Sequence, residues 1–369
     1  MCRLLIYKGK TITLADILTR PTHSIINQAF DSRLRIDTRR PINGDGFGVG
    51  WYSNEEDVGE TGPGPCIFTS ITPAWNNQNL VRLSEKTRSR LIFGHVRAST
   101  AGVLAEVNCH PFEFNSLMWM HNGGIAEFSR VKRKMHALLR EEYFLWMQGS
   151  TDSECAFALF LNCLHDLGYP PADHITFDAT ILRQAMLDTI TKINTLIDDA
   201  GVTDPSLLNF AVTDGTDVVC TRYVSSRTDE AASLFFSSGT SFHQYEAGGH
   251  YKMERRDKGQ DIVLVSSEPL TFQRADWVTV PTNSILTISK ETVLLHPILD
   301  KYFVEKASYV RNDQFAREKG LLGTSDINDV RPESKREETI RKGSSSGEAP
   351  SFRNTVPLDQ LREEAIFCH

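Results

Sequence analysis

Met1-Cys2-Arg3-Leu4-Leu5-Ile6-Tyr7 opens the chain. A cysteine stands directly behind the initiator methionine, at the mouth of a short apolar run that predicts a buried strand. Removal of Met1 leaves Cys2 with a thiol and a free α-amine on one residue. An α-amine has a reference pKa near ~7.7, against ~10.4 for lysine. At cytosolic pH roughly a third of such amines are neutral bases, while about one lysine in a thousand is. A nucleophile with a general base on its own backbone needs no histidine beside it in sequence. The competing reading is an ordinary strand in which the cysteine is an accident of position. Residues further along decide between the two.

The 369 residues, 40% of them hydrophobic, suffice to bury a large core in one or two domains. A formal net charge of −7 argues against nucleic acid or an anionic membrane as the primary partner. No run is long enough to span a membrane, and the amino terminus lacks a signal peptide's apolar segment, so a cytoplasmic protein is expected. The seven cysteines (Cys2, Cys66, Cys109, Cys155, Cys163, Cys220 and Cys368) form no CxxC pair. An odd number without such pairs favours free thiols over a disulfide framework. No cysteine or carboxylate stands at metal-ligand spacing from His95, His110 or His121, so no metal and no cofactor are expected. Those three residues read as hydrogen-bonded structural histidines.

After the first strand comes a polar connection, and Ser24–Phe30 predicts a short helix. Residues 31–45 carry Arg33, Arg35, Arg39 and Arg40 and end in Asn43-Gly44-Asp45. They read as a loop, its arginines a solvated face or a rim for an anionic ligand or acidic partner. A strand follows at Phe47–Tyr52, then an exposed acidic loop at Asn54–Pro65. Gln78–Thr87 predicts a helix; Arg90–Val96 and Ser116–Met120 predict buried strands, each ending in a polar cluster. Ile125–Met147, Asp152–Leu167 and Ala179–Ala200 read as helices, the second with Cys155, Ala158, Leu159 and Cys163 at core-facing spacing. Strands are expected at Leu207–Thr213, Val218–Val224, Ser233–Ser237, Asp261–Val265, Trp277–Val280 and Ser284–Ser289. Strands, then helices, then strands, with no regular βαβ alternation, predict α+β layers rather than a doubly wound sheet. From about Arg311 to Asn354 the chain turns charged and Ser/Gly-rich, which predicts a loosely packed or disordered segment. Val356–Cys368 regains some helical pattern.

Four polar clusters lie at strand ends or at a helix start, where sites are commonly built. They are Cys2, Gly94-His95-Val96-Arg97-Ala98-Ser99-Thr100, Met120-His121-Asn122-Gly123-Gly124, and Thr151-Asp152-Ser153-Glu154. Each has a chemical use toward a γ-glutamyl amide, which carries an α-carboxylate and an α-ammonium at one end and a scissile carbonyl at the other. Arg97 offers a planar fork for the carboxylate, and Thr100 a hydroxyl donor. Asp152 supplies the countercharge for the ammonium. Asn122 and the Gly123 N–H offer two donors for the oxyanion formed when a thiolate attacks. Each also has a plain alternative. Thr151-x-x-Glu154 matches a capping box, Asn122-Gly123 matches a hairpin turn, and Arg97 alone is a salt-bridge arginine.

Taken together, Cys2, Gly-His-x-Arg-x-x-Thr, His-Asn-Gly and Asp-Ser-Glu resemble the class II glutamine amidotransferases, which are amino-terminal-nucleophile hydrolases. The resemblance covers roughly residues 2–290. It implies an α+β fold, a four-layer α/β/β/α sandwich, with the nucleophile at the start of a central strand. It also implies Cys2 as nucleophile, Arg97 and Asp152 on the glutamyl end, and Asn122 with Gly123 as oxyanion hole. The Met-Cys-Arg-Leu-Leu opening, the segment Asn43-Gly44-Asp45-Gly46-Phe47-Gly48 and Ser267-Glu268-Pro269-Leu270 narrow the likeness. They look like a free-standing branch that holds ergothioneine-pathway amidohydrolases and a fungal glutathione-degradation subunit. PTHSIINQAFDSR (residues 21–33) with Arg39-Arg40-Pro41 looks most like the latter. That resemblance implies a cytosolic protein cleaving the γ-glutamyl bond of glutathione beside a metallopeptidase-type partner. Residues 2–300 are then the amidotransferase-type domain, and 301–369 an extension that no family motif reaches.

The expected reaction is thioester chemistry without a metal, with glutathione or glutamine as substrate. With no P-loop and no evident second catalytic module, a stand-alone hydrolase or a subunit fits better than a complete synthase. The alternatives are a glutaminase subunit supplying ammonia to a separate synthase, an ergothioneine-pathway-like amidohydrolase, and a non-catalytic assembly scaffold.

Overall fold

Leu5 and Tyr7 leave the first strand on one side, Leu4 and Ile6 on the other, and all four are fully buried. A strand buried on both faces needs a layer above and a layer below it. In the computed structural model, which describes residues 2–31, 42–53, 62–98, 103–256, 261–290 and 292–305, those layers are two sheets and two sets of helices. All the described residues belong to one unit spanning 1–318.

The amino-terminal part runs β1 (Arg3–Thr13), α1 (Leu14–Leu18), α2 (Ile25–Phe30), β2 (Phe47–Trp51), β3 (Cys66–Ser70), α3 (Gln78–Lys86) and β4 (Arg88–Val96). Next come β5 (Phe112–Phe114), β6 (Leu117–Gly124), α4 (Phe128–Ala137), α5 (Glu141–Trp146), α6 (Asp152–Asp166) and α7 (Ala179–Asp199). The remainder is strand: β7 (Leu207–Thr213), β8 (Val218–Arg222), β9 (Phe235–Gly239), β10 (Ser241–Glu246), β11 (His250–Glu254) and β12 (Ile262–Ser266). It closes with β13 (Val278–Thr279), β14 (Ser284–Ser289) and β15 (Thr292–Pro297).

One sheet has the order β13-β9-β12-β1-β4-β2-β3, the other β15-β14-β8-β7-β6-β5, and every strand pair in them is antiparallel. Side-chain alternation assigns the layers. Leu5, Tyr7, Ile92 and Val96 pack with α1, α2 and Leu80 of α3. Leu4, Ile6, Leu91 and Phe93 pack against Met118, Met120, Ala211 and Leu286 of the second sheet. Trp119, Phe210 and Val212 of that sheet face α6 and α7. The fold is thus the four-layer α/β/β/α sandwich of the amino-terminal-nucleophile hydrolases.

The Phe47-Gly-Val-Gly-Trp51 alternation is read through this stacking. Phe47 and Val49 join the helix-side core, while the glycines face the other sheet. A Cβ on Gly48 would lie 2.0 Å from the His110 carbonyl oxygen, so only glycine lets that backbone approach.

Several expectations are corrected. Ile125–Met147 is two helices, α4 and α5, not one. Arg140 is extended (φ −65°, ψ 152°) and its N–H donates to Asn162 Oδ1 at 2.9 Å, which captures the donor a continuing helix would need. The polar connection after Tyr7 is instead strand to Thr13 and then α1. Strand β3, the hairpin β10–β11 and edge strand β15 have mixed or mostly exposed faces, so their apolar alternation is too weak to see. Asn122-Gly123 is not a turn but lies inside β6, opposite Asn209 and Leu208 of β7. The Arg33–Arg40 loop, most of the Asn54–Pro65 loop, and the 311–354 and 356–368 segments lie outside the described residues. No helix among the described residues is long and apolar enough to cross a membrane.

Candidate active site

The alternation that builds the core also aims the polar strand ends. Cys2 continues the Leu4–Ile6 face, Arg97 the Leu91–Phe93 face, and Asn122 the Met118–Met120 face. All three fall between the sheets at one end. Cys2 is half-buried; its sulfur accepts the Ala98 N–H at 3.4 Å and lies 3.6 Å from the Ala98 carbonyl oxygen. Arg97 is buried. Its N–H donates to Gly46 O at 2.8 Å, and its carbonyl accepts the Asp45 N–H at 3.2 Å. The Asn43–Gly48 stretch is therefore a flank of this site. Thr100 lies outside the described residues.

Asn122 is 3% exposed. Its Nδ2 donates to Ser267 Oγ at 3.2 Å, and the same oxygen accepts the Leu4 N–H at 3.0 Å. The amide thus stands two hydrogen bonds from the strand that follows Cys2. A Cβ on Gly123 would lie 1.8 Å from the Leu207 carbonyl oxygen, so glycine is required there for β7 to pair so closely. Asp152 opens α6 just beyond the end of β6. Its Oδ2 accepts the Ile125 N–H at 2.8 Å and its Oδ1 the Ser153 N–H at 2.9 Å. An anionic side chain in a first helical turn is favoured by the helix dipole, and each oxygen keeps a lone pair for a cation.

The capping box is half formed. Thr151 Oγ1 accepts the Glu154 N–H at 3.2 Å. Glu154 does not reach back to the cap; its Oε1 accepts the N–H groups of Gln148 and Gly149 at 2.7 and 2.9 Å. It fastens the 148–151 approach to the helix and so supports Asp152.

The histidines lie beneath the site. A carbonyl only accepts, so the His121 contact to Leu207 O at 3.0 Å makes Nε2 the protonated nitrogen, and Nδ1 accepts from Ser153 Oγ at 2.9 Å. His95 Nε2 likewise donates to His121 O at 3.2 Å. Burial pushes the His95 pKa down to about 3 and lowers those of His110 and His121. His110 departs from expectation. It is buried, lies against His95 with ring centres 4.2 Å apart and the rings tilted by 47°, and neither of its ring nitrogens finds a hydrogen-bond partner among the described residues. Among the described residues no group of histidines, cysteines and carboxylates is arranged to hold a metal ion.

Sequence reasoning attached no chemical role to Arg3, Ser267 or Glu268. Arg3 Nε pairs with Glu268 Oε1 at 2.7 Å, both side chains fully buried, and Arg3 Nη1 donates to the Cys2 carbonyl at 3.0 Å. Some 265 residues separate the partners, so only the position of Ser267-Glu268 after a strand hinted at the site.

The fold is that of the amino-terminal-nucleophile hydrolases, and the residues at this end of it suit a hydrolase acting on γ-glutamyl amides. Residues 23–301 match the class-II glutamine amidotransferase family, and the chain belongs to that family. The match begins beyond Cys2. The chain is 57% identical to the probable glutamine amidotransferase DUG3 of Saccharomyces cerevisiae over 330 residues, 88% of this chain and 92% of that one. It is 27% identical over 124 residues to the gamma-glutamyl-hercynylcysteine sulfoxide hydrolase of Mycolicibacterium smegmatis, covering 33% of this chain and 51% of that one. A solved glutamine aminotransferase class-II domain protein from Silicibacter pomeroyi shares the fold, with a TM-score of 0.52 and 22% identity over 81% of this chain and 100% of its own.

Proposed function

We propose that this chain hydrolyses γ-glutamyl amides with Cys2 as an amino-terminal nucleophile, and that it cleaves the γ-glutamyl bond of glutathione as a subunit of a cytoplasmic degradation complex. The observation that carries this reading is the hydrogen-bond chain that ties the ends of the strands together, Cys2 resting on Ala98 beside Arg97 and Ser267 joining Leu4 to Asn122, with Asp152 bonded just beyond the Asn122 strand. The glutathione assignment draws on the stretch at residues 21–33 and on the 57% identity with DUG3. A relative whose name gives a γ-glutamyl conjugate other than glutamine as its substrate is in keeping with a leaving group larger than ammonia.

In the proposed reaction, Met1 is removed and the neutral α-amine, through a water, takes the thiol proton as sulfur attacks the γ-carbonyl. The free N–H of Asn122 and the N–H of Gly123 receive the oxyanion. The protonated amine then donates to the leaving nitrogen, releasing cysteinylglycine, and water hydrolyses the thioester to free glutamate. Arg97 and Thr100 take the α-carboxylate and Asp152 the α-ammonium. The amidotransferase-type domain spans 2–300, with 301–369 an extension of it; a metallopeptidase-type partner takes the dipeptide.

The test is glutamate release from glutathione and from glutamine, by the protein alone and with a metallopeptidase-type partner. Release from glutathione is expected. Release confined to glutamine would favour the reading the family name suggests, a glutaminase subunit feeding a synthase. Retained Met1 in active protein, seen by mass spectrometry, would rule out the amine-base step. Asp152→Asn is expected to raise KM for the preferred substrate ~10–100-fold with a smaller change in kcat, because a charged hydrogen bond present in ground and transition states alike is weakened. An unchanged KM would remove Asp152 from ammonium recognition.

A further inference from the structure

Ser267 and Glu268 follow β12 directly and touch both halves of the site. Ser267 N–H donates to Leu4 O at 3.0 Å while its Oγ accepts from Leu4 N and Asn122 Nδ2. We infer that Ser267 and Glu268 are positioning residues that hold the nucleophile strand and the oxyanion donor in one frame. This inference rests on the hydrolase reading above.

Few other contacts hold the two groups. Once Met1 is gone, no peptide precedes Cys2, so its backbone is held through its carbonyl side, with the sulfur resting on Ala98. That carbonyl is the acceptor of Arg3 Nη1, and Arg3 is held by Glu268. Glu268 is itself pinned: Gln28 Nε2 donates to its backbone carbonyl at 3.3 Å. His23 stands 3.6 Å from its second carboxylate oxygen, with Nδ1 bonded to Pro269 O at 2.6 Å. Taking such an ion pair out of water costs several kcal/mol, so its location under the nucleophile calls for a reason.

Asn122 is held still more simply. Among the described residues its amide makes one side-chain hydrogen bond, to Ser267, and its Oδ1 accepts none. An amide nitrogen carries two N–H groups in one plane. Anchoring one at Ser267 fixes the direction of the other, the one available to an oxyanion.

The test compares wild type, Ser267→Ala and Glu268→Gln in the assay, with or without partner, that gives wild-type turnover. It measures kcat and KM for glutathione, the rate of Cys2 alkylation by iodoacetamide, and the Kd for L-glutamate. Alkylation develops no oxyanion and glutamate binding needs none. Ser267→Ala is therefore expected to lower kcat ~10–100-fold, the scale of a misdirected oxyanion donor, with alkylation and glutamate affinity within a few-fold of wild type. Glu268→Gln is expected to slow alkylation and turnover together while glutamate affinity is kept. Cys2-independent release by wild type would sink the hydrolase reading. Cys2-dependent release with an unchanged kcat in Ser267→Ala, or with glutamate affinity lost in proportion, would sink the positioning inference alone. Should the alanine variant not fold, Ser267→Cys, near in size and a weak acceptor, takes its place; failure of both to fold assigns Ser267 to folding and overturns the inference.

Discussion

Cys2→Ala is expected to lower glutamate release by at least ~10³-fold, and toward the ~10⁶ typical of a deleted covalent nucleophile, with the fold and glutamate binding retained. No other described cysteine is as well suited. Burial pushes the Cys109 thiol up to about 11 and the Cys155 thiol up to about 12, and it raises those of Cys163 and Cys220. A thiol held in its neutral form is a poor nucleophile. Cys66 is half-buried like Cys2 but lies on edge strand β3, among none of the groups that could hold a glutamyl head. A Cys66→Ser variant therefore serves as control and keeps its rate. The decisive measurement is steady-state glutamate release by purified proteins of equal thermal stability; release persisting in Cys2→Ala would end the proposed mechanism.

Lowering the pH from 7 to 5 is expected to destabilise the protein by about 2 kcal/mol through His95 alone, with His110 adding to the loss in the same direction. In the unfolded chain both titrate near ~6.5, whereas in the fold burial holds His95 neutral down to about 3 and His110 below its ordinary range. The unfolded state thus binds protons that the native state refuses. The stabilisation is complete above the unfolded pKa and is lost progressively as pH falls toward the folded one. His23 and His121, lowered by burial as well, act in the same direction. Against a typical total of ~5–15 kcal/mol, this is a large share. Urea midpoints at the two pH values measure it, and an unchanged midpoint would contradict the neutral-histidine floor. His110→Phe, placed between the His95 and Phe112 rings, is expected to flatten the dependence by about one proton.

How much of this was legible in advance differs from residue to residue. Leu4–Tyr7, Arg90–Val96 and Asp152–Leu167 declare their elements because apolar period and end signals are local properties. The end of α4 did not, since the group that interrupts it, Asn162, sits on another helix. Asn122-Gly123 carries a turn's signature, yet it is strand, because pairing with Asn209 and Leu208 of β7 outweighs two residues' preference.

Cys2, Arg97, Asn122 and Asp152 could be picked out from the chain by residue type and by their location at element ends. The amino-acid order also settled the layer pattern, since strand alternation sends Leu4 and Leu5 to opposite cores. What only the tertiary structure decided is which ends meet. Ser267 reaches Leu4 across 263 residues and Asn122 across 145, and Glu268 reaches Arg3 across 265. No local preference encodes such a contact; it arises when β12 pairs with β1 and the two sheets close face to face.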